Sequence, residues 1–196
     1  MTSALPCIVY LHGFNSSPQS HKARQLSDYL VQRGTGQHYW CPALPPSGKQ
    51  AITLIEAELA KRAGQRFVFV GSSLGGFYST WLAEKLDSRA VLINPGIKPW
   101  VDLRGHVGIQ QNIYTAERYE LSKAHLDEWE QLWVPVITPS RYFLLVETGD
   151  EVLDYRAAVA RYAGGQQKVI AGGDHSLRSF EEHIPAILEF AGLPAL

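Results

Sequence analysis

The sequence predicts an α/β domain with three layers, αβα, built on a mostly parallel sheet of about six strands. Two observations carry that expectation. Short β-branched and aromatic runs alternate with longer amphipathic runs, and repeated βα alternation places right-handed crossover helices on both faces of a sheet. The short runs are also continuously apolar rather than alternating, which suits strands buried on both faces.

The elements follow in order. The strand candidates are CIVYLHG (7–13), HYWCPAL (38–44), RFVFVGS (66–72), AVLINP (90–95), YFLLVE (142–147) and KVIAG (168–172). Between them lie helix candidates at 20–34, 48–63, 74–87, 154–164 and 182–192. Ser20 and Ser47 are placed as N-caps, and Gly34, Gly64 and Gly164 as C-terminal stops. Phe77, Tyr78 and Trp81 read as core packing of the helix that begins at 74. Residues 97–140 break the rhythm: they are rich in Trp and Tyr, show no convincing strand, and suggest a helix around 119–132. So long an insertion reads as a lid over a site, or alternatively as padding at one sheet edge.

Bulk properties bound the function. With 196 residues, one domain over 1–196 is expected. A net charge of −1 gives no electrostatic case for nucleic acid or a membrane surface. The two cysteines, Cys7 and Cys41, are far apart in unlike contexts and read as reduced thiols of a cytoplasmic protein. The N-terminus lacks a basic n-region, and no apolar stretch reaches the ~20 residues a membrane span needs. HExxH, a Cys/His cluster and a P-loop lysine are all missing, so no metal or other cofactor is expected. Monomer and homodimer both remain open.

The chemistry centres on Gly71, Ser73 and Gly75, in the frame G-x-S-x-G. Glycines two residues either side of a serine permit a very tight strand-to-helix turn that holds the serine Oγ above a sheet. A serine nucleophile needs a base, an orienter for that base, and donors for the developing oxyanion. His175, in AGGDHSL after the last strand, is the base candidate; His12, His21, His38, His106, His125 and His183 are less well placed. Asp150, after the fifth strand, is the acid candidate, with Glu147, Glu151 and Asp154 as rivals nearby. The backbone N–H groups of Phe14, in HGFNSSP after the first strand, and of Leu74 are the oxyanion donors. The order oxyanion loop, Ser73, Asp150, His175 is the one expected of α/β-hydrolases.

The strings YLHGFNSSPQSHKA, VGSSLGGFYSTWLA, INPGIKPW, TGDEVLDY and GGDHS resemble the small bacterial YqiA-like esterases, a branch of the α/β-hydrolases, over nearly the whole chain. The resemblance implies a cytoplasmic esterase with Ser73, Asp150 and His175 as its triad, acting on a small-molecule acyl ester or thioester. Asn15 and Trp100 are candidate substrate-pocket residues, and Asn15 also a candidate support for its loop. The alternatives are an acyl thioesterase and a catalytically silent hydrolase fold used to bind a ligand.

Overall fold

The computed structural model describes residues 5–194. The strand β1 (Cys7–Leu11) leads into helix α1 (His21–Gln32). Then follow β2 (Tyr39–Trp40), α2 (Gly48–Ala60), β3 (Phe67–Ser72), α3 (Leu74–Lys85) and β4 (Arg89–Ile93). The insertion comes next, with α4 (Pro99–Asp102), β5 (Gly108–Gln111), β6 (Arg118–Leu121) and α5 (Lys123–Gln131). The chain returns through β7 (Tyr142–Glu147), α6 (Tyr155–Arg161), β8 (Gln166–Ile170) and α7 (Phe180–Ala191). Six strands form one sheet in the order β2-β1-β3-β4-β7-β8, and every pairing in it is parallel.

Strand composition follows from two-sided burial. Val9 and Leu11 of β1 face a core shared with α2, α3 and α5, while Ile8 and Tyr10 face a second core shared with α1 and α7. Consecutive side chains point to opposite faces of a strand, so both sets must be apolar. Parallel strands also send all their C-terminal ends to one edge, and the loops there can build a site.

Three expectations need correction. The strand read over 38–44 is only Tyr39–Trp40; Pro42, Pro45 and Pro46 lack the N–H a ladder needs. The insertion does contain strands: β5 and β6 pair antiparallel as a separate two-stranded sheet. Residues 119–121 therefore belong to β6, and the helix starts only at Lys123. The boundary is set by Ser122, whose backbone N–H donates to His125 Nδ1 at 2.9 Å in a reciprocal capping box. As for the caps, Ser47 accepts the Gln50 N–H at 3.1 Å, whereas Ser20 holds the N-cap position of α1 without a side-chain bond. Ser17 takes up the turn just before it, accepting the Gln19 N–H at 3.0 Å.

The insertion is tied to α3 from inside. Trp129 of α5 is fully buried, and its indole N–H donates to the Tyr78 hydroxyl at 2.6 Å. Tyr78→Phe strands that buried donor. We expect a loss of about 1–3 kcal/mol in stability, read as a lower denaturant midpoint at unchanged slope.

Candidate active site

The turn between β3 and α3 is constrained by its neighbours. Ser73 sits between them at φ +54°, a conformation that costs a non-glycine residue of order 1–3 kcal/mol. A Cβ on Gly75 would overlap the Leu11 carbonyl, and one on Gly71 would overlap the Gly75 carbonyl and the Ser79 hydroxyl. The turn is thus packed to backbone contact with β1. Ser73 N–H donates to Ile93 O of β4 at 3.0 Å, and its own carbonyl accepts from Gly76 and Gly96. The backbone is fixed on both sides while the side chain stays partly exposed.

His175 and Asp150 come from the loops after β8 and β7 and meet at the same edge. His175 Nδ1 lies 2.8 Å from Asp150 Oδ2, with the aspartate side chain 1% exposed and the histidine side chain 21% exposed. Asp150 Oδ1 accepts the N–H groups of Val152 at 2.9 Å and Leu153 at 2.8 Å. Burial pushes the Asp150 carboxyl up, but the His175 hydrogen bond and the two N–H donors outweigh it and hold it below the ordinary aspartate value. With Nδ1 engaged by a carboxylate, the tautomer leaves Nε2 as the nitrogen available to accept a proton. The rival acids have other roles. Glu147 ends β7 with a buried carboxylate that accepts the Asp174 N–H, Glu151 accepts the His175 N–H, and Asp154 caps α6.

Ser73, His175, Phe14 and Leu74 line one cavity of about 310 Å³, with Asp102, Leu103, His106, Val152 and Leu153 among its other walls. The loop after β1 presses on the serine: a Cβ on Gly13 would fall 3.2 Å from Ser73 Cβ. Neither the Phe14 nor the Leu74 N–H donates to a protein acceptor among the described residues. His12, the histidine nearest in sequence to this loop, has both ring nitrogens engaged. Nε2 accepts the Leu44 N–H at 3.1 Å and Nδ1 lies 3.0 Å from Gly13 O, while burial lowers its pKa.

The two candidate pocket residues lie elsewhere. Asn15 lines a second cavity of about 460 Å³, which shares Phe14 and Leu74 with the first. Trp100 packs edge-on against Phe77 and Trp133 and lines a third cavity between α4 and α5. Sequence reasoning did not single out Asp102 and His106 as cavity walls, because insertion residues carry no periodic signal for which way they face. It also passed over Asn94. This residue is buried at φ +39° directly after β4, and it spans three strands' ends. Its Oδ1 accepts the Glu147 N–H at 3.0 Å, and its Nδ2 donates to Asp174 O at 3.2 Å and His175 O at 3.1 Å. The available signal was a lone polar residue between the apolar run 90–93 and a proline. Lys22 of α1 supports the same loop, donating to Ser176 O at 2.6 Å, and burial lowers its pKa to about 8. Among the described residues no three His, Cys, Asp or Glu side chains converge as a metal-binding group, and no helix is long and apolar enough to cross a membrane.

Comparison with known proteins agrees with this architecture. Alpha/beta hydrolase domain-containing protein 10 from mouse superposes with a TM-score of 0.73 at 16% identity, covering 98% of this chain and 92% of the mouse chain. Est1E from Butyrivibrio proteoclasticus, with ferulic acid bound, gives 0.69 at 14% identity over 96% of this chain and 88% of its own. A monoacylglycerol lipase from Paleococcus ferrophilus gives 0.65 at 16% identity over 95% of each chain. At such identities the likeness is one of fold, and the fold is that of the α/β-hydrolases. The uncharacterised protein family UPF0227 matches residues 7–192, and the chain belongs to it; this is the YqiA-like family that its sequence strings resemble.

The Asp150–His175 pair makes a pH prediction. An aspartate whose folded pKa is depressed contributes stability that is present above the unfolded value of about 4 and lost as pH falls through the folded value. The stability gap between wild type and Asp150→Asn, measured by denaturant melts across pH, should therefore persist at neutral and mildly acidic pH and close only below about pH 4.

Proposed function

We propose that this member of the YqiA-like family is a serine carboxylesterase that cleaves short-to-medium acyl esters through an acyl-enzyme. The observation that carries the reading is the Asp150-bound His175, which opens onto the same cavity as a serine held in a strained backbone conformation. Serine, base and acid are then Ser73, His175 and Asp150.

Each step uses one group. His175 Nε2 accepts the Ser73 proton as Oγ forms a bond to the substrate carbonyl carbon. The ionised Asp150 stabilises the imidazolium and keeps Nδ1–H directed away from the serine. The carbonyl oxygen becomes an oxyanion, for which the N–H groups of Phe14 and Leu74, two residues lining this cavity, are the assigned donors; a donor of this kind is typically worth about 3 kcal/mol in the transition state. The tetrahedral intermediate collapses, the bond to the leaving oxygen breaks, and His175 returns the proton to it. Water repeats the sequence on the acyl-Ser73 ester, releasing acid and free serine. A thioester follows the same course with a thiol leaving. The cavity of about 310 Å³ is at the small end of ligand pockets, which supports short acyl groups over long ones.

The test is hydrolysis of nitrophenyl esters over a series of acyl lengths, alongside Ser73→Ala. Wild type should turn over the short esters best, and the variant should lose about four or more orders of magnitude in kcat. Equal inertness of the two would instead favour a ligand-binding role for the fold.

A further inference from the structure

The insertion meets the loop after β1 along a continuous seam. Ile113 N–H donates to Asn15 O at 3.0 Å, and Asn112 Nδ2 donates to Ser16 O at 2.7 Å. The Asn15 side chain is held at both ends: its Oδ1 accepts the Tyr119 hydroxyl at 2.6 Å, and its Nδ2 donates to Gln110 Oε1 at 3.1 Å. Next to it, the Phe14 ring packs edge-on against His106, Tyr119 and Trp129, with centroids 6.0, 6.5 and 6.4 Å away. All these partners belong to the insertion, and four of them, Gln110, Asn112, Ile113 and Tyr119, lie on the β5–β6 hairpin or its turn.

Two details make the seam directional. Asn15 sits at φ +52°, in the left-handed region that asparagine enters more readily than most residues and glycine more readily still. Burial, with Glu117 nearby, raises the Tyr119 hydroxyl to about 12, so it stays protonated and can serve as the donor to Asn15 Oδ1. That bond fixes which end of the Asn15 amide faces Tyr119, and Gln110 takes the other. Both heteroatoms of the amide are therefore occupied by protein partners. Asn15 lines the second cavity, but its polar atoms are spent on the hairpin.

We infer that the β5–β6 hairpin is a clamp that fixes the direction of the Phe14 N–H, with Asn15 as the latch and Tyr119 as a positioning residue. The inference rests on the serine hydrolase reading, in which that N–H faces the oxyanion. A small rotation of the Phe14–Asn15 backbone swings the donor off the oxygen it must meet, and such donors act only when preorganised. The insertion then acts through the oxyanion loop, besides walling the cavity with Asp102, Leu103 and His106.

The test measures kcat and KM on nitrophenyl acetate for wild type, Tyr119→Phe, Asn15→Gly and the double variant. It also measures inhibition by an arylboronic acid, which forms a tetrahedral adduct on an active serine. Tyr119→Phe removes one oxygen atom, and glycine tolerates the Asn15 backbone conformation, so both variants are built to fold. In Tyr119→Phe, kcat should fall about ten-fold or more with KM within about two-fold, and boronate affinity should fall by a similar factor. Asn15→Gly should lose at least as much, and the double variant no more than Asn15→Gly alone, since both cut one connection. Unchanged kcat and boronate affinity in an active enzyme would overturn the clamp and leave the hydrolase reading intact. So would a rise in KM alone, which would make Tyr119 a substrate contact. A wild type as inert as Ser73→Ala would overturn the hydrolase reading and the clamp together.

Discussion

Ser73 keeps a positive φ because the chain around it leaves nowhere else for the backbone to go. Gly71 and Gly75 bring β3, α3 and β1 to backbone contact, and the Ser73 N–H is pinned to the end of β4. Strain of this kind persists only where the surroundings over-determine it. Here they are the central strands of a fully parallel sheet, each buried on both faces. The core supplies the rigidity, and the turn uses it to present one hydroxyl to a cavity at the C-terminal edge.

The other groups reach that edge on loops, and loops need anchors of their own. The His175 loop is held by polar groups buried beneath it: the Asn94 amide spans from Glu147 N–H to the Asp174 and His175 carbonyls, and the Glu147 carboxylate takes the Asp174 N–H. Each buried polar atom is costly when unpaired and rigidifying when paired, so a satisfied network fixes a loop in a way that exposed bonds do not. The loop after β1 is held by the hairpin, through the bonds of Asn15 and Ser16 to Gln110, Asn112, Ile113 and Tyr119. Two loops that share no residues are thus fixed against one serine by two different devices, one buried in the sheet edge and one added by the insertion.

The sheet was readable in the sequence because two-sided burial writes itself as unbroken apolar runs, and β1, β3, β4 and β7 fall where CIVYL, FVFVGS, RAVLI and YFLLVE lie. The placement of Ser73, Asp150 and His175 after strands was readable for the same reason. The hairpin was not. GIQQ and RYEL bury little, with Ile109 largely exposed, so neither strand carries the apolar signature of the main sheet. Helix α5 was extended too far back because its start depends on a Ser–His capping box instead of the commoner Ser–Glu pair. Asn15 and Asn94 show a further limit. Their importance lies in which carbonyls and hydroxyls surround them in space, and those partners are up to 104 positions away in the chain.

The central claim is that this fold activates one particular serine, and covalent labelling tests it most directly. Native protein treated with a fluorophosphonate, digested and mapped by mass spectrometry should carry a single adduct on Ser73, and unfolded protein should carry none. An unlabelled Ser73 in the folded protein, or an adduct spread over several serines such as Ser16 and Ser72, would contradict the account.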